Sequence, residues 1–284
     1  MSKKLAVAAF IIIAVLPLLA GLAYTLLYSV GVIGALGQGF TLVYWEKTLT
    51  NSTFWASMGL SILIASLVCI ISTGLALGCL LYWRPALEHR QIRFLLHWPL
   101  ALPPLIAAFF SFQWLGSSGM LARLAYKSGW IEGAEDFPAL INDSNYFGVI
   151  VTLTLLTFPF FLLLMMDYYQ ATRLEDLSQL ATTLGASSRQ IQVGVIAPIL
   201  LRRAMPAVLL YFVFLIGAYE VPLLLGRQSP AMLSVFISQK FSKFNLLELP
   251  VAYVTTVMYA AFVLLFVFML LRKNNPEKFL RNEA

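Results

Sequence analysis

Long apolar stretches alternate with short polar ones along this chain. No Asp, Glu, Lys or Arg occurs in residues 5–45, 48–83, 94–122, 144–166 or 249–271, and 204–226 is interrupted only by Glu220. A helix needs about 20 apolar residues to cross a hydrocarbon core of about 30 Å. These stretches therefore predict six spans, at residues 5–27, 55–82, 94–115, 147–166, 204–225 and 251–271. The runs are continuous and lack the two-residue alternation of a barrel strand, so helices are expected throughout. The fold class is all-α and polytopic, with residues 1–284 forming a single transmembrane domain. Pro99, Pro103 and Pro104 predict a bent or broken third span, because proline removes a backbone donor. Such bends either line a pathway or serve packing. The Gly74/Gly78 pair in the second span is a GxxxG, which lets another helix approach closely.

Charge sets the orientation. The two termini, residues 84–93 and residues 166–203 hold Lys3, Lys4, Arg84, Arg90, Arg93, Arg173, Arg189, Arg202, Arg203, Arg272, Lys273, Lys278 and Arg281, thirteen in all. The alternate segments hold six: Lys47, Arg123, Lys127, Arg227, Lys240 and Lys243. The positive-inside rule then predicts cytoplasmic N- and C-termini, a cytoplasmic segment 166–203 and a cytoplasmic tail 272–284. The formal charge of +6 reflects this topology, and no nucleic-acid partner is expected. Charged residues make up 11% of the chain against roughly 25% in an ordinary soluble domain, which excludes that class. The first apolar run follows a basic flank but outruns the roughly 7–15 residues of a signal core, which predicts a retained span; cleavage would leave five spans in the same orientation. Cys69 and Cys79 fall inside the second span and read as small apolar groups, with neither a disulfide nor a metal site implied. Asn51 and Asn142 begin glycosylation-like triplets, a pattern short enough to recur by chance.

The polar stretch QLATTLGASSRQIQVGVIAP, residues 179–198, sits between two spans. Leu177, Leu180, Ala181 and Leu184 recur at i, i+3, i+4 and i+7, an apolar stripe on a short helix. Glu175 and Asp176 at its start suit the helix dipole, and Gly185 follows as a C-terminal cap. Ser187 and Gln190 have the spacing of a capping box and predict a second helix. The segment, about 170–200, reads as a helix–glycine–helix elbow. Its stripe is to be buried on its own bundle, on another protein or on the inner leaflet.

These residues resemble the cytoplasmic signature of the membrane permeases of type I ABC importers: Glu-Ala-Ala, three residues, Gly, nine residues, Ile-x-Leu-Pro. Ala181, Gly185 and Pro198 match in register and Val195 stands conservatively for Ile, while Gln179, Leu180 and Ala197 depart from Glu, Ala and Leu. The elbow's place between the fourth and fifth of six spans, and the stretches ALPPLIAAFF and GAYEVPLLLG, look similar to such permeases too. The resemblance covers most of the chain, most clearly residues 166–226. It implies the type I importer permease fold in a bacterial cytoplasmic (inner) membrane, with the solute pathway shared with a second permease, homologous or identical. Gln179, Leu180, Ala181, Leu184, Gly185 and Ala186, with Pro198 closing the motif, would then form the coupling element seated in a separate ATP-binding cassette subunit. An extracytoplasmic solute-binding protein would deliver the load, and alternating access would follow ATP binding by the partner. Gln179 removes the charge that its position offers in the family signature. ATP and Mg²⁺ belong to the partner: this chain has no GxxxxGK[ST] loop, and no lysine is preceded by glycine. No cofactor, metal or catalytic residue is therefore expected on this chain. The resemblance extends to permeases serving polyamines, iron, thiamine and phosphorus compounds, with a polyamine-type solute as the choice among them.

Two rivals fare worse. GSSG, residues 116–119, contains the GxSG of intramembrane serine proteases. The nearest histidine base, His97, falls at the opposite end of the third span, about 30 Å away at 1.5 Å per residue. A secondary carrier without an ATPase partner would show internal repeats and several buried charges; the chain shows no repeat and one such charge. That charge is Glu220, roughly 26 Å above Arg203 at about 1.5 Å per residue. It either reaches the outer interface or, beside Tyr219 and Pro222, faces the second permease as a gate or cation-attracting site. Beyond it, Leu233, Phe236, Ile237, Lys240, Phe241 and Phe244 are spaced at threes and fours. They predict an amphipathic outer helix that docks the binding protein or lies on the membrane surface.

Overall fold

The computed structural model of the chain describes residues 5, 9–34, 37, 39–242 and 245–273. Lys3, Lys4, Lys243, Phe244, Lys278, Arg281 and all but the first two residues of the expected tail lie outside them. Among the described residues there is no strand. The helices are α1 (Leu16–Ser29), α2 (Val43–Leu49), α3 (Ser52–Leu87), α4 (Arg90–Ala101), α5 (Pro104–Leu115), α6 (Met120–Lys127), α7 (Phe147–Ala171), α8 (Leu174–Thr183), α9 (Ser188–Ile191), α10 (Ala197–Ile216), α11 (Glu220–Leu225), α12 (Leu233–Phe241) and α13 (Leu249–Lys273). Among the described residues six stretches are long and apolar enough to cross a membrane: Ile11–Ser29, Ser52–Leu87, Pro104–Lys127, Phe147–Ala171, Ser188–Ile216 and Leu249–Leu270.

Prolines set the irregularities of these helices. The third expected span is broken: Leu102 and Pro103 are extended (ψ 125° and 138°), and α5 starts afresh at Pro104. Neither Pro103 nor Pro104 has an N–H to give, and a residue before proline is pushed out of the helical region. Two π-helical turns, Ile11–Val15 and Gln192–Ile196, immediately precede the first turns of α1 and α10, which carry Pro17 and Pro198. Widening the turn lets Leu16 and Ala197 donate to Ile11 and Gln192, so the helix runs on where a proline amide is missing. The fifth span departs from expectation. In place of one helix over 204–225, the helix begins at Ser188, ends at Ile216 and resumes at Glu220 after Gly217, Ala218 and Tyr219. The straight-helix rise that placed Glu220 therefore does not hold beyond Ile216. Pro222, which has no N–H for the carbonyl of Ala218, and Gly217 supply the local reason.

The chain divides into two compact units, Met1–Met58 with Leu233–Ala284, and Gly59–Met232. In the first, α13 packs on α1 and α2. Tyr28 stacks on Tyr253 with ring centroids 4.1 Å apart, and Phe241 meets Tyr253 edge-on at 5.0 Å. The apolar face of α12 is not spread on a membrane surface, one of the two placements its spacing allowed. Leu233 and Phe236 are buried against Phe54, with Met58, Ile237, Met258 and Tyr259 around them. Lys240 pairs with Glu248, which also lies 3.7 Å from Lys47. Asn51, first residue of a glycosylation-like triplet, caps α3 instead: its Oδ1 accepts from the Thr53 amide at 2.9 Å.

In the second unit α7 is the central helix, with α4, α5, α10 and α11 packed on it. Phe161, Leu162, Met165 and Met166 of α7 share a buried cluster with Ala76, Leu80, Leu200 and Ala204. Asp143 caps α7 by accepting from the Phe147 amide at 2.9 Å. The Tyr146 hydroxyl donates to the Pro230 carbonyl, and burial pushes this phenol above its ordinary range against the opposing pull of Arg227. Among the described residues nothing approaches the Gly74/Gly78 positions of α3 closely: a Cβ at either would meet nothing within 4 Å. GSSG is the tight turn between α5 and α6, where a Cβ at Gly119 would lie 2.6 Å from the Gln113 carbonyl. Its serines line an open hollow with Arg123 and Tyr126 and no histidine. His97 is engaged with its own helix at the Arg93 carbonyl, 2.7 Å away.

Candidate functional site

The elbow forms as its local sequence dictates. α8 carries Glu175 and Asp176 in its first turn and ends on Leu184, after which Gly185 takes the left-handed conformation (φ +85°). The Gly185 amide donates to the Thr182 carbonyl at 2.9 Å and the Ala186 amide to the Ala181 carbonyl at 3.0 Å. This is the paired Schellman closure of a helix C-terminus. The next helix starts two residues on with the expected capping box: Ser187 Oγ accepts from the Gln190 amide, and Gln190 Oε1 accepts from the Ser187 amide at 2.8 Å. The second arm, α9, then continues through the π-turn into α10. The elbow is thus one piece with the fifth spanning stretch, and Pro198 is the residue at that junction.

Its apolar stripe splits in two. Of the stripe, Ala181 turns inward and packs with Ala186 on the cluster built around α7 and α10, which also buries Leu174 ahead of the stripe. Leu177, Leu180 and Leu184 face outward, 39%, 58% and 81% exposed, with Gln179 and Gly185 also open. Leu177 and Leu180 of α8 and Leu184 at its closed C-terminus form an apolar surface that the described residues leave uncovered.

A charged cluster holds the base of this elbow. Arg84 at the end of α3 pairs with Glu175 of α8 and with Glu88, whose Oε1 lies 3.0 Å from its Nε. Its Nη1 donates to the Tyr169 hydroxyl of α7 at 2.6 Å, its guanidinium sits 4.3 Å from the Tyr169 ring centroid, and Tyr169 in turn donates to Glu175 at 3.4 Å. Gln192 Nε2 adds a bond to the Leu81 carbonyl at 3.1 Å. These groups border a cleft of about 410 Å³ that also takes in Ser178, Thr182 and Ser188. Sequence reasoning assigned Arg84 to topology and Glu175 to the helix dipole. Only the Arg84/Glu88 spacing of four residues was there to be read.

Glu220, Tyr219 and Pro222 stand elsewhere, past the end of α10, which runs about 27 Å from Pro198 to Ile216 at 1.5 Å per residue. Pro222 is buried, Tyr219 half-buried and Glu220 exposed. Glu220 borders a cavity of about 180 Å³ reached by both helix breaks, with Leu102 and Pro104 from one and Ala218 from the other. Among the described residues no group of His, Cys, Asp or Glu side chains is arranged to hold a metal.

Apolar helices broken within their length, joined to a rigid, apolar-faced elbow between the fourth and fifth stretches, define a multi-pass permease. Residues 73–274 match the family described as binding-protein-dependent transport system inner membrane component, and the chain belongs to that family. It is an inner-membrane permease subunit of a type I ABC importer. Among solved structures, a chain of a bacterial alginate ABC transporter, crystallised in complex with an alginate pentasaccharide-bound periplasmic protein, has a similar fold. The likeness covers 96% of this chain and 92% of that one, with a TM-score of 0.69 and 15% sequence identity. Compared by sequence with curated proteins, the chain matches none.

Proposed function

We propose that this permease pairs with a second permease, and that its elbow seats in a groove of a separate ATP-binding cassette subunit on the cytoplasmic side. The observation that carries the reading is the capped helix with Leu177, Leu180 and Leu184 turned outward. Fully burying one leucine is worth about 1.5–3 kcal/mol, so three on a preformed surface suit a stable protein contact. ATP and Mg²⁺ bind the partner. Closure of two such subunits draws the elbows inward, and the Arg84–Tyr169–Glu175 cluster passes that displacement to α3 and α7 while α9 passes it directly to α10. The membrane stretches then alternate between inward- and outward-facing forms. A periplasmic binding protein, of the kind seen with the alginate transporter, delivers the solute, and Glu220 stands in the pathway.

The test is the assembled transporter carrying Leu180→Asp and Leu184→Asp together. Membrane insertion of the permease should be unchanged, whereas the ATPase subunit should no longer co-purify and uptake should stop. Wild-type retention of the ATPase subunit by this variant refutes the docking.

A further inference from the structure

Four aromatic side chains stand uncovered among the described residues where α3 ends and α4 begins. Tyr82, Trp83, Phe94 and Trp98 are 71%, 64%, 64% and 63% exposed. The backbone holds them there. Pro85 has no N–H for the Leu81 carbonyl, and α3 bends at Trp83 (φ −123°, ψ 20°). The orphaned carbonyl accepts from Gln192 Nε2 at 3.1 Å, which ties the bend presenting Tyr82 and Trp83 to the second arm of the elbow. On α4, Phe94 and Trp98 share one face, their rings edge-on with centroids 6.5 Å apart. Leu96 packs on the α7 cluster and Leu100 lines the cavity beside Glu220. Each is two residues from Trp98, about 160° round the helix, so the aromatic face points away from both.

Charge decides what covers this face. Arg90 is exposed one turn before Phe94, and Arg93 is its neighbour at i+3. Among the described residues neither guanidinium meets a carboxylate. No Asp or Glu occurs in residues 89–131, and Glu88 is held by Arg84. Along the axis of α4 the order is Arg90, then Phe94 about 6 Å on, then Trp98 about 12 Å on, at about 1.5 Å per residue. A phospholipid has the same order from phosphate to acyl chain: the headgroup zone on each side of the hydrocarbon core is roughly 5–8 Å deep, and Trp and Tyr settle at its boundary. A second permease seated here would have to bring its own carboxylates into the membrane to meet the arginines. An anionic headgroup supplies that charge at the right depth.

We propose that this face binds an anionic phospholipid of the cytoplasmic leaflet. Arg90 and Arg93 hold its phosphate through charge-assisted hydrogen bonds, its chains lie along Phe94 and Trp98, and Tyr82 and Trp83 mark the headgroup boundary. Through the bend tied to Gln192, an occupied site steadies the elbow, so coupled uptake depends on anionic lipid. That consequence rests on the proposed role of the elbow; the binding itself does not. The assembled transporter is placed in phosphatidylcholine nanodiscs carrying rising fractions of brominated phosphatidylglycerol or brominated phosphatidylcholine. Quenching of Trp98 is read as the difference between the otherwise unchanged chain and Trp98→Phe, and uptake is measured in matched vesicles. Phosphatidylglycerol should quench at a mole fraction about fivefold lower or more, and Arg90→Gln with Arg93→Gln should bring the two lipids level. Equal quenching by the two lipids in the unsubstituted chain overturns the inference, as does a preference that survives both substitutions. Quenching by neither lipid means that a protein covers the face, and overturns it as well. The comparison of lipids on the unsubstituted chain decides the matter if the arginine variants do not assemble. A preference for phosphatidylglycerol with uptake indifferent to it upholds the binding and overturns the link to the elbow.

Discussion

Gly185→Val perturbs the elbow at its left-handed glycine, a backbone position where a side chain is costly. With φ at +85°, any residue bearing a Cβ is strained by roughly 1–2 kcal/mol, and β-branching adds to that. Within the chain a Cβ at this site meets nothing within 4 Å, so no packing clash adds to the cost. The alternative is for the elbow to open and lose its two closing hydrogen bonds, at about 1 kcal/mol each. Either route lowers the capped population by about five- to thirtyfold and lowers overall stability by no more than that same roughly 1–2 kcal/mol. Because the ATPase subunit is proposed to bind the capped form, its affinity should fall by at least that factor, and the valine methyls intrude on its groove as well. The assay is titration of the purified ATPase subunit onto the permease in lipid nanodiscs, with solute uptake measured in parallel. Thermal unfolding serves as the control. Gly185→Asn, which tolerates the left-handed region, should keep most of the affinity. Wild-type binding and coupled uptake by Gly185→Val would refute the role given to the elbow.

Arg84→Ala should leave ATPase-subunit binding intact but lower uptake per ATP hydrolysed. Its pairs are partly exposed, so stability should change by only about 1 kcal/mol or less, and Arg84→Glu combined with Glu175→Arg should recover part of the coupling. Reporter fusions after Arg90 and Arg173 should read cytoplasmic and a fusion after Lys127 should read outside; the inverse pattern would move the elbow away from any cytoplasmic motor. Phe236→Ala removes a ring buried against Phe54 and should destabilise by about 3–5 kcal/mol in thermal or denaturant unfolding, because the outer helix packs inside its unit instead of floating on lipid.

Interactions that close within a few residues are legible in the amino-acid sequence alone. Hydropathy over about 20 residues locates the apolar stretches. The glycine closure at Gly185 and the Ser187/Gln190 box each span four residues or so, and two adjacent prolines suffice to break the third span. Chain folding over long separations decides the rest. Arg84 and Tyr169 are 85 positions apart, and nothing in either neighbourhood says that they meet. The stripe of the elbow is apolar at Leu177, Leu180, Ala181 and Leu184 alike; which of these turn inward depends on where α7 and α10 leave room. The face of α12 finds Phe54 from the far end of the chain. Glu220 is visible as a lone charge in an apolar run, but two separate helix breaks sharing its cavity is a property of packing. Local sequence sets the dihedral and capping preferences of each segment, while burial and pairing depend on distances that only the assembled helices define.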